Sequence, residues 1–331
     1  MKPGPLPRPG MLGAAAASLL LATSCAGQTT PDPGSVDGEA ALTVETIHGD
    51  VDLPEVPTDV VALGWSDAEA SLALGVEPVG VADWLEYGGN GVGPWVDDLV
   101  EGDPVQLGTM EPNVESTASL EPDVILDTRS DLTQERYDML SPVAPVVGPP
   151  PGVEITYGTT WQEQTRQVAA ALDRKERGEE LVTELEERFA DLREEHPEFA
   201  DSTIAVGAYN YDGGFGAYVP GDTRTDLLTD LGFEYDSELA DMADGAFYTD
   251  LSAENVEALD ADLTVVFPLE AGAAEELETD PVLQDLDSAR EGRLIVLDDQ
   301  DLIDAFSSGS APGVHHALDG IVPRLVEALG N

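Results

Sequence analysis

Lysine is almost missing from this chain: of 331 residues only Lys2 and Lys175 are lysine, and all basic side chains together number 14 against 67 Asp and Glu. The formal net charge of -53 excludes nucleic acid as a partner, because gripping phosphates takes basic surface. Cysteine occurs once, at Cys25, which excludes an internal disulfide. Histidine stands at 48, 196, 315 and 316. That scatter is poor material for a direct metal-ion site, and the adjacent last pair would point to different sides of a helix. Beyond the leader, no stretch is long and apolar enough to span a bilayer.

What remains is ample core. Hydrophobic residues make up 42% of the chain, enough for two cores of ordinary size or one large one, and they recur at regular periods that a disordered acidic chain would lack. The acid is therefore read as a solvated surface, of the kind that works in high salt, where screening relieves self-repulsion.

Lys2 and Arg8 precede an apolar run from Met11 to Ala22, followed by small residues, the layout of a secretory signal. It ends Leu21-Ala22-Thr23-Ser24-Cys25, which resembles the lipobox of bacterial lipoproteins and implies lipidation of Cys25 after removal of residues 1–24. Residues 25–41, rich in Gly, Pro, Thr and Asp, read as a flexible tether.

The remaining chain contains a distant repeat. Residues 113–126, Asn-Val-Glu-Ser-Thr-Ala-Ser-Leu-Glu-Pro-Asp-Val-Ile-Leu, align without a gap on 252–265, Ser-Ala-Glu-Asn-Val-Glu-Ala-Leu-Asp-Ala-Asp-Leu-Thr-Val. Each copy has a glutamate near the start (Glu115, Glu254), a leucine, and an aspartate leading into an apolar strand. Copies so far apart indicate two similar lobes rather than a solenoid. In the first, 59–63, 68–74 and 79–82 read as strand, helix and strand, a βαβ unit with its ligand site beyond the carboxyl ends of the strands. A strand or hairpin over Leu42–Asp52, turning at Gly49-Asp50, precedes it. A Gly-rich aromatic segment from Asp83 to Trp95 follows and lacks a phosphate-loop lysine. The expected architecture is α/β, with two Rossmann-like lobes at 42–157 and 197–331 joined by one long helix at 158–196, about 50 Å long. The ligand cleft lies between the lobes.

The run Gly64 to Val81, the segment Trp84…Pro94-Trp95, Asn113-Val-Glu115 with Glu121-Pro-Asp-Val-Ile125, "SPVAPVV" at 141–147, "YGTTWQEQT" at 157–165 and "LDADLTVVF" at 259–267 together resemble the ferric-siderophore substrate-binding lipoproteins of ABC importers. The resemblance implies a non-enzymatic, monomeric, extracytoplasmic protein, lipid-anchored to the outer face of the membrane and without a resident cofactor. Its ligand would be a ferric siderophore, and its partners the permease subunits with their cytoplasmic ATPase. It also implies that Glu115 and Glu254 dock on the permease, and two equal charges in equivalent positions suit a two-fold-related partner.

Within that reading, cation scarcity narrows the ligand contacts. After Cys25 there are 11 arginines and one lysine, and only Arg129 and Arg224 fall in loops at or near strand carboxyl ends. They are the candidate anion contacts, with Trp65, Trp84, Tyr209, Tyr211 and Tyr218, and less securely Phe215 and Phe306, as an aromatic lining. Trp95 suits core and cleft equally. So few cations favour a neutral or weakly charged hydroxamate complex over an anionic catecholate. Haem and cobalamin are alternatives within the same fold. A remote alternative is a serine esterase using Ser66 of Gly64-Trp65-Ser66 with His315 or His316.

The acidic surface makes one prediction. The purified protein gains stability between dilute and molar salt, read as a rising denaturation midpoint; equal midpoints at both ends would remove the high-salt reading.

Overall fold

The computed structural model describes residues 41–330 apart from 211, 212, 236 and 271. The signal, Cys25, the tether up to residue 40 and Tyr211 lie outside the described residues. Alternation of apolar side chains builds the first two strands, β1 (Leu42–Thr46) and β2 (Gly49–Leu53), in which Val44, Thr46, Val51 and Leu53 are buried between outward neighbours. The turn falls on Ile47-His48 rather than Gly49-Asp50. Thr46 pairs with Gly49, whose φ of 107° costs only glycine little.

The first lobe continues with β3 (Val60–Ala62), α1 (Asp67–Ala73), β4 (Gly80–Val81), β5 (Val105–Gln106), α2 (Val114–Ser119), β6 (Val124–Leu126), α3 (Gln134–Leu140) and β7 (Val146–Val147). Its strands form one parallel sheet in the order β5-β4-β3-β6-β7. β3, β4, β6 and β7 are covered on both faces and buried throughout, β3, β6 and β7 as short continuous apolar runs, whereas the edge strand β5 is exposed. Val60, Val124 and Leu126 pack under the β1-β2 hairpin, while Val61 and Ile125 face Leu107 and Leu140 on the other side.

Two helices follow, α4 (Trp161–Ala171) and α5 (Lys175–Glu195), where the sequence pattern suggested one. A capping box between Thr160 and Glu163 starts α4. Helix geometry stops at Leu172–Arg174, with Asp173 at φ 54°, and α5 turns back along α4. Both helices touch both cores: Val168, Ala169 and Leu172 of α4 and, at its edge, Leu181 of α5 belong with the first, whereas Trp161 of α4 joins Val182, Leu185 and Phe189 of α5 in the second. Gly178 lets the two helices approach closely; a Cβ there would lie 2.5 Å from that of Ala169. Helix α5, of 21 residues and about 32 Å, is the long helix that joins the lobes.

The second lobe comprises β8 (Thr203–Tyr209), β9 (Phe215–Tyr218), α6 (Thr223–Asp230), β10 (Glu234–Tyr235), α7 (Ser237–Met242), β11 (Tyr248–Leu251), β12 (Leu263–Pro268), α8 (Ala274–Leu277), α9 (Asp287–Arg290), β13 (Leu294–Val296), α10 (Gln300–Ser308) and α11 (Ala311–Leu329). Its sheet runs β11-β9-β8-β12-β13, with β10 also beside β8. Strands β8, β12 and β13 are parallel as in the first lobe, but β9 runs antiparallel to both β8 and β11. Tyr209 of β8 thus pairs with Phe215 of β9 across a hairpin, closed by the Asn210 amide donating to the Gly214 carbonyl at 2.8 Å. Phe306 packs in the core of this lobe and Phe215 in the cluster on the sheet's other face. Neither lines a cleft, because large rings stabilise most when fully removed from water.

The repeat has a structural basis. Asp123, before β6, accepts hydrogen bonds from the Thr58 amide and hydroxyl at 2.9 Å and from the Asp59 amide at 3.0 Å. Asp262, before β12, accepts from the Thr203 amide and hydroxyl at 2.9 Å. Each carboxylate fastens the start of the neighbouring central strand, and those bonds hold both acids below their ordinary range. The copies diverge upstream, where α2 in the first lobe corresponds to a single 3-10 turn at Val256–Leu259 in the second.

Candidate functional site

Beyond the end of β3 the chain makes a sharp crossing, Leu63-Gly64-Trp65-Ser66, into α1. Gly64 leaves no room for a side chain, because a Cβ would strike the Asp67 carboxylate and lie 2.9 Å from the Arg129 amide. Ser66 occupies the N-cap position at φ 63° but makes no cap bond. Its hydroxyl donates to the Ser308 carbonyl at 2.6 Å and accepts from the Trp84 indole at 3.2 Å. Asp67 is fully buried, accepting from the Thr128 amide at 2.8 Å, the Gln164 amide group at 2.7 Å and the Thr128 hydroxyl. Burial pushes its pKa up to about 6.

One turn along, Glu69 gathers five neutral donors. One oxygen accepts from the Tyr87 hydroxyl at 3.2 Å and the Gly93 amide at 3.3 Å. The other accepts from the Trp95 indole at 2.9 Å, the Ser308 hydroxyl at 2.8 Å and the Ser310 hydroxyl. Sequence reasoning missed this residue. Its only signal was a second acid, two places after Asp67, in a short helix otherwise made of small and apolar residues.

The two candidate arginines have different fates. Arg129 is 3% exposed, with Nε donating to the Tyr157 carbonyl at 2.9 Å and Nη1 to the Ser308 carbonyl at 2.8 Å. Burial pulls its pKa down to about 10. It lines a small chamber of about 160 Å³ with Trp161, Asp226 and Asp230 rather than the cavity that Arg224 reaches, and a buried carbonyl from each lobe takes one of its donors. Arg224 does reach the main cavity. Asp222 holds its Nη1 at 2.9 and 3.2 Å and Ser307 its Nε at 3.0 Å. The guanidinium carbon lies 4.2 Å from the centroid of the Tyr218 ring, a cation–π contact.

That cavity, about 480 Å³, lies between the lobes. The first lobe contributes Trp84, Leu85 and Glu86; the second contributes Arg224, the end of β12 from Phe267 to Glu270, and one side of α10. Glu86, Gln300 and Asp304 are shared with a second groove of about 560 Å³ along the Gly-rich segment. Behind Trp84 stand Trp65 at 4.2 Å and 7° and, stacked on Trp65 at 3.9 Å and 14°, Tyr157. Tyr157 went unnoticed in the sequence as a site residue; its φ of 58° turns it into the stack. Arg136, paired with Asp127 at 2.8 Å, holds the Thr109 carbonyl at 3.1 Å, and the Thr109 hydroxyl accepts from the Trp65 indole at 3.1 Å.

The structure therefore brings Trp84, Trp65, Arg224 and, beneath Arg224, Tyr218 together. Tyr209 is not among them: its hydroxyl donates to Glu276 at 3.2 Å and its ring leans on Phe215. Trp95 is partly buried between Tyr87 and His316. Glu115 and Glu254 are both exposed. For an esterase Ser66 lacks a base, since its hydroxyl is bound to Ser308, His315 is 2.9 Å from Arg188 and His316 lies against Trp95.

A cavity of this size walled by two α/β lobes has the form of a site that holds a small-molecule cargo. The chain belongs to the periplasmic binding protein family, whose model matches residues 60–301, and is a substrate-binding component rather than an enzyme. It is 27% identical over 272 residues to the "Probable siderophore-binding lipoprotein YfiY" of Bacillus subtilis (strain 168), covering 79% of each chain. A periplasmic solute binding protein of Mycobacterium smegmatis superimposes with a TM-score of 0.73 at 26% identity, covering 87% of this chain and 99% of that one. PiaA of Streptococcus pneumoniae, solved in complex with ferrichrome, shares the fold with a TM-score of 0.72 at 24% identity, covering 87% and 99%.

The chamber beside Arg129 gives a pH prediction. Burial, with Asp222 and Asp230 nearby, raises Asp226 to about 6, so the folded state holds that proton more tightly than the unfolded chain. Its stabilising contribution is complete below the unfolded pKa and is lost as pH rises through about 6. Asp226→Asn, which keeps an acceptor for the Gly221 amide, is expected to be more stable than the parent by roughly 1–3 kcal/mol at pH 7.5 and equal to it near pH 4. Urea unfolding across that range checks it.

Proposed function

We propose that this protein captures a ferric siderophore in the inter-lobe cavity and delivers it to an ABC permease. The observation that carries the reading is the juxtaposition, from opposite lobes, of a flat Trp84-Trp65-Tyr157 stack and the cation–π-supported Arg224 around a cavity of about 480 Å³. Aromatic faces suit the organic shell of such a complex, and the guanidinium suits its oxygen atoms. The name of the Bacillus relative and the ferrichrome in the Streptococcus structure support the same ligand class. With Arg129 tied to carbonyls and Arg224 shared with Asp222, a hydroxamate-type complex fits better than a highly anionic catecholate. The iron complex is cargo, and no resident cofactor is part of the proposal.

Delivery follows from the exposed glutamates. Glu115 and Glu254, at matching points of the repeat, dock on the two permease subunits, whose ATPase works on the cytoplasmic side. Cys25 carries the lipid that holds the protein, as a monomer, to the outer face of the cell membrane.

Tryptophan-fluorescence titration of the signal-free protein with ferric hydroxamates, catecholates, haem and cobalamin tests the ligand. A ferric hydroxamate is expected to quench, and Arg224→Ala or Trp84→Ala to weaken it by about tenfold; no response to any compound sinks the assignment, and haem or cobalamin binding declares itself by absorbance. Charge reversal at both Glu115 and Glu254 is expected to abolish uptake while leaving ligand affinity intact. Unchanged uptake would remove the docking role.

A further inference from the structure

Resting on the ferric-siderophore reading, we infer that the cavity selects a complex bearing a positively charged arm, received by Glu86 from the first lobe and Asp304 from the second. Arg224 is the one cation among the described lining residues, and Asp222 already neutralises it at 2.9 Å. Three lining carboxylates, Glu86, Glu270 and Asp304, have no such partner among the described residues. The cavity wall is therefore net negative even though its one arginine faces the ligand.

An acidic surface accounts for Glu86 and Glu270, which are exposed, but not for Asp304, which is partly buried on α10. Its hydrogen-bond donor is the Gln300 side chain at 2.7 Å on the same helix. Burial and the neighbouring carboxylates of Asp301, Asp83 and Glu69 weaken its acidity. Keeping a carboxylate there costs free energy that a bound cation would offset. Glu86 is set at the junction of the two volumes by a left-handed backbone, φ 57°, which a non-glycine residue adopts only when its surroundings impose it. The positions also solve a geometric problem. A ferric complex against Trp84 and Arg224 leaves the adjoining groove free for an arm, and an ammonium group, with three donors, can bridge carboxylates from both lobes. The same acids repel an anionic arm, so the site discriminates by rejection as well as attraction.

The test holds the iron core constant. The purified protein, in salt at which its melting curve shows it folded, is titrated with ferrioxamine B, a linear ferric trihydroxamate ending in an ammonium group, and with its N-acetyl (neutral) and N-succinyl (anionic) derivatives. Affinity is expected to fall by about tenfold from the cation to the neutral form, and further to the anion. In Glu86→Gln/Asp304→Asn, checked for an unchanged melting curve, the cation-to-neutral ratio is expected to fall towards one. Equal affinities in the parent, tighter binding of the neutral or anionic form, or a ratio unchanged in the double variant would overturn the inference and leave the ferric-siderophore reading standing. So would binding of other ferric complexes but none of these three. Failure of every ferric complex would overturn both.

Discussion

The structure depends on one buried polar seam. The turn Ser308-Gly309-Ser310, between α10 and α11 of the second lobe, is inserted into the first lobe, where Ser66 and Arg129 take the Ser308 carbonyl and Glu69 takes both serine hydroxyls. Gly309 has φ 69°, and any side chain there would collide with Arg129 and Thr223. A buried carboxylate without a cation is tolerated only when its acceptor capacity is filled, and five donors fill it. Removing Glu69 would orphan groups on both lobes at once.

This seam also explains where the cavity is. Helix α10 presents Ile303, Asp304 and Ser307 to the cavity, spaced as one helical face, while the next residue, Ser308, turns to the seam. Ser66 joins the two regions, since its hydroxyl both grips Ser308 and receives the Trp84 indole that begins the aromatic stack. The ligand wall and the lobe contact are thus one hydrogen-bonded assembly.

Much of the fold was legible because the signals were local. The repeat at 113–126 and 252–265, the βαβ pattern and the aromatic positions Trp65 and Trp84 needed only periodicity and strand-end logic. What was hidden depends on tertiary partners. Arg129 and Arg224 look alike in sequence, both near strand ends, yet one is claimed by two buried carbonyls and the other reaches the cavity beside an aspartate. The single helix expected at 158–196 conceals the turn at Asp173 because apolar residues recur at helical spacing on both sides of it, and both helices pack on both cores. Glu69 was missed because its one local cue, a second acid in a short helix of small and apolar residues, is faint in a chain with so many acids.

The central claim is that iron sits between Trp84 and Arg224. Anomalous scattering at the iron edge, from crystals grown with a bound ferric trihydroxamate, tests it most directly. The account predicts a single strong peak inside the inter-lobe cavity, flanked by the Trp84 ring and the Arg224 guanidinium. A peak elsewhere, such as the groove beside His316 and Asp319 on the second lobe, with the inter-lobe cavity free of iron, would contradict it.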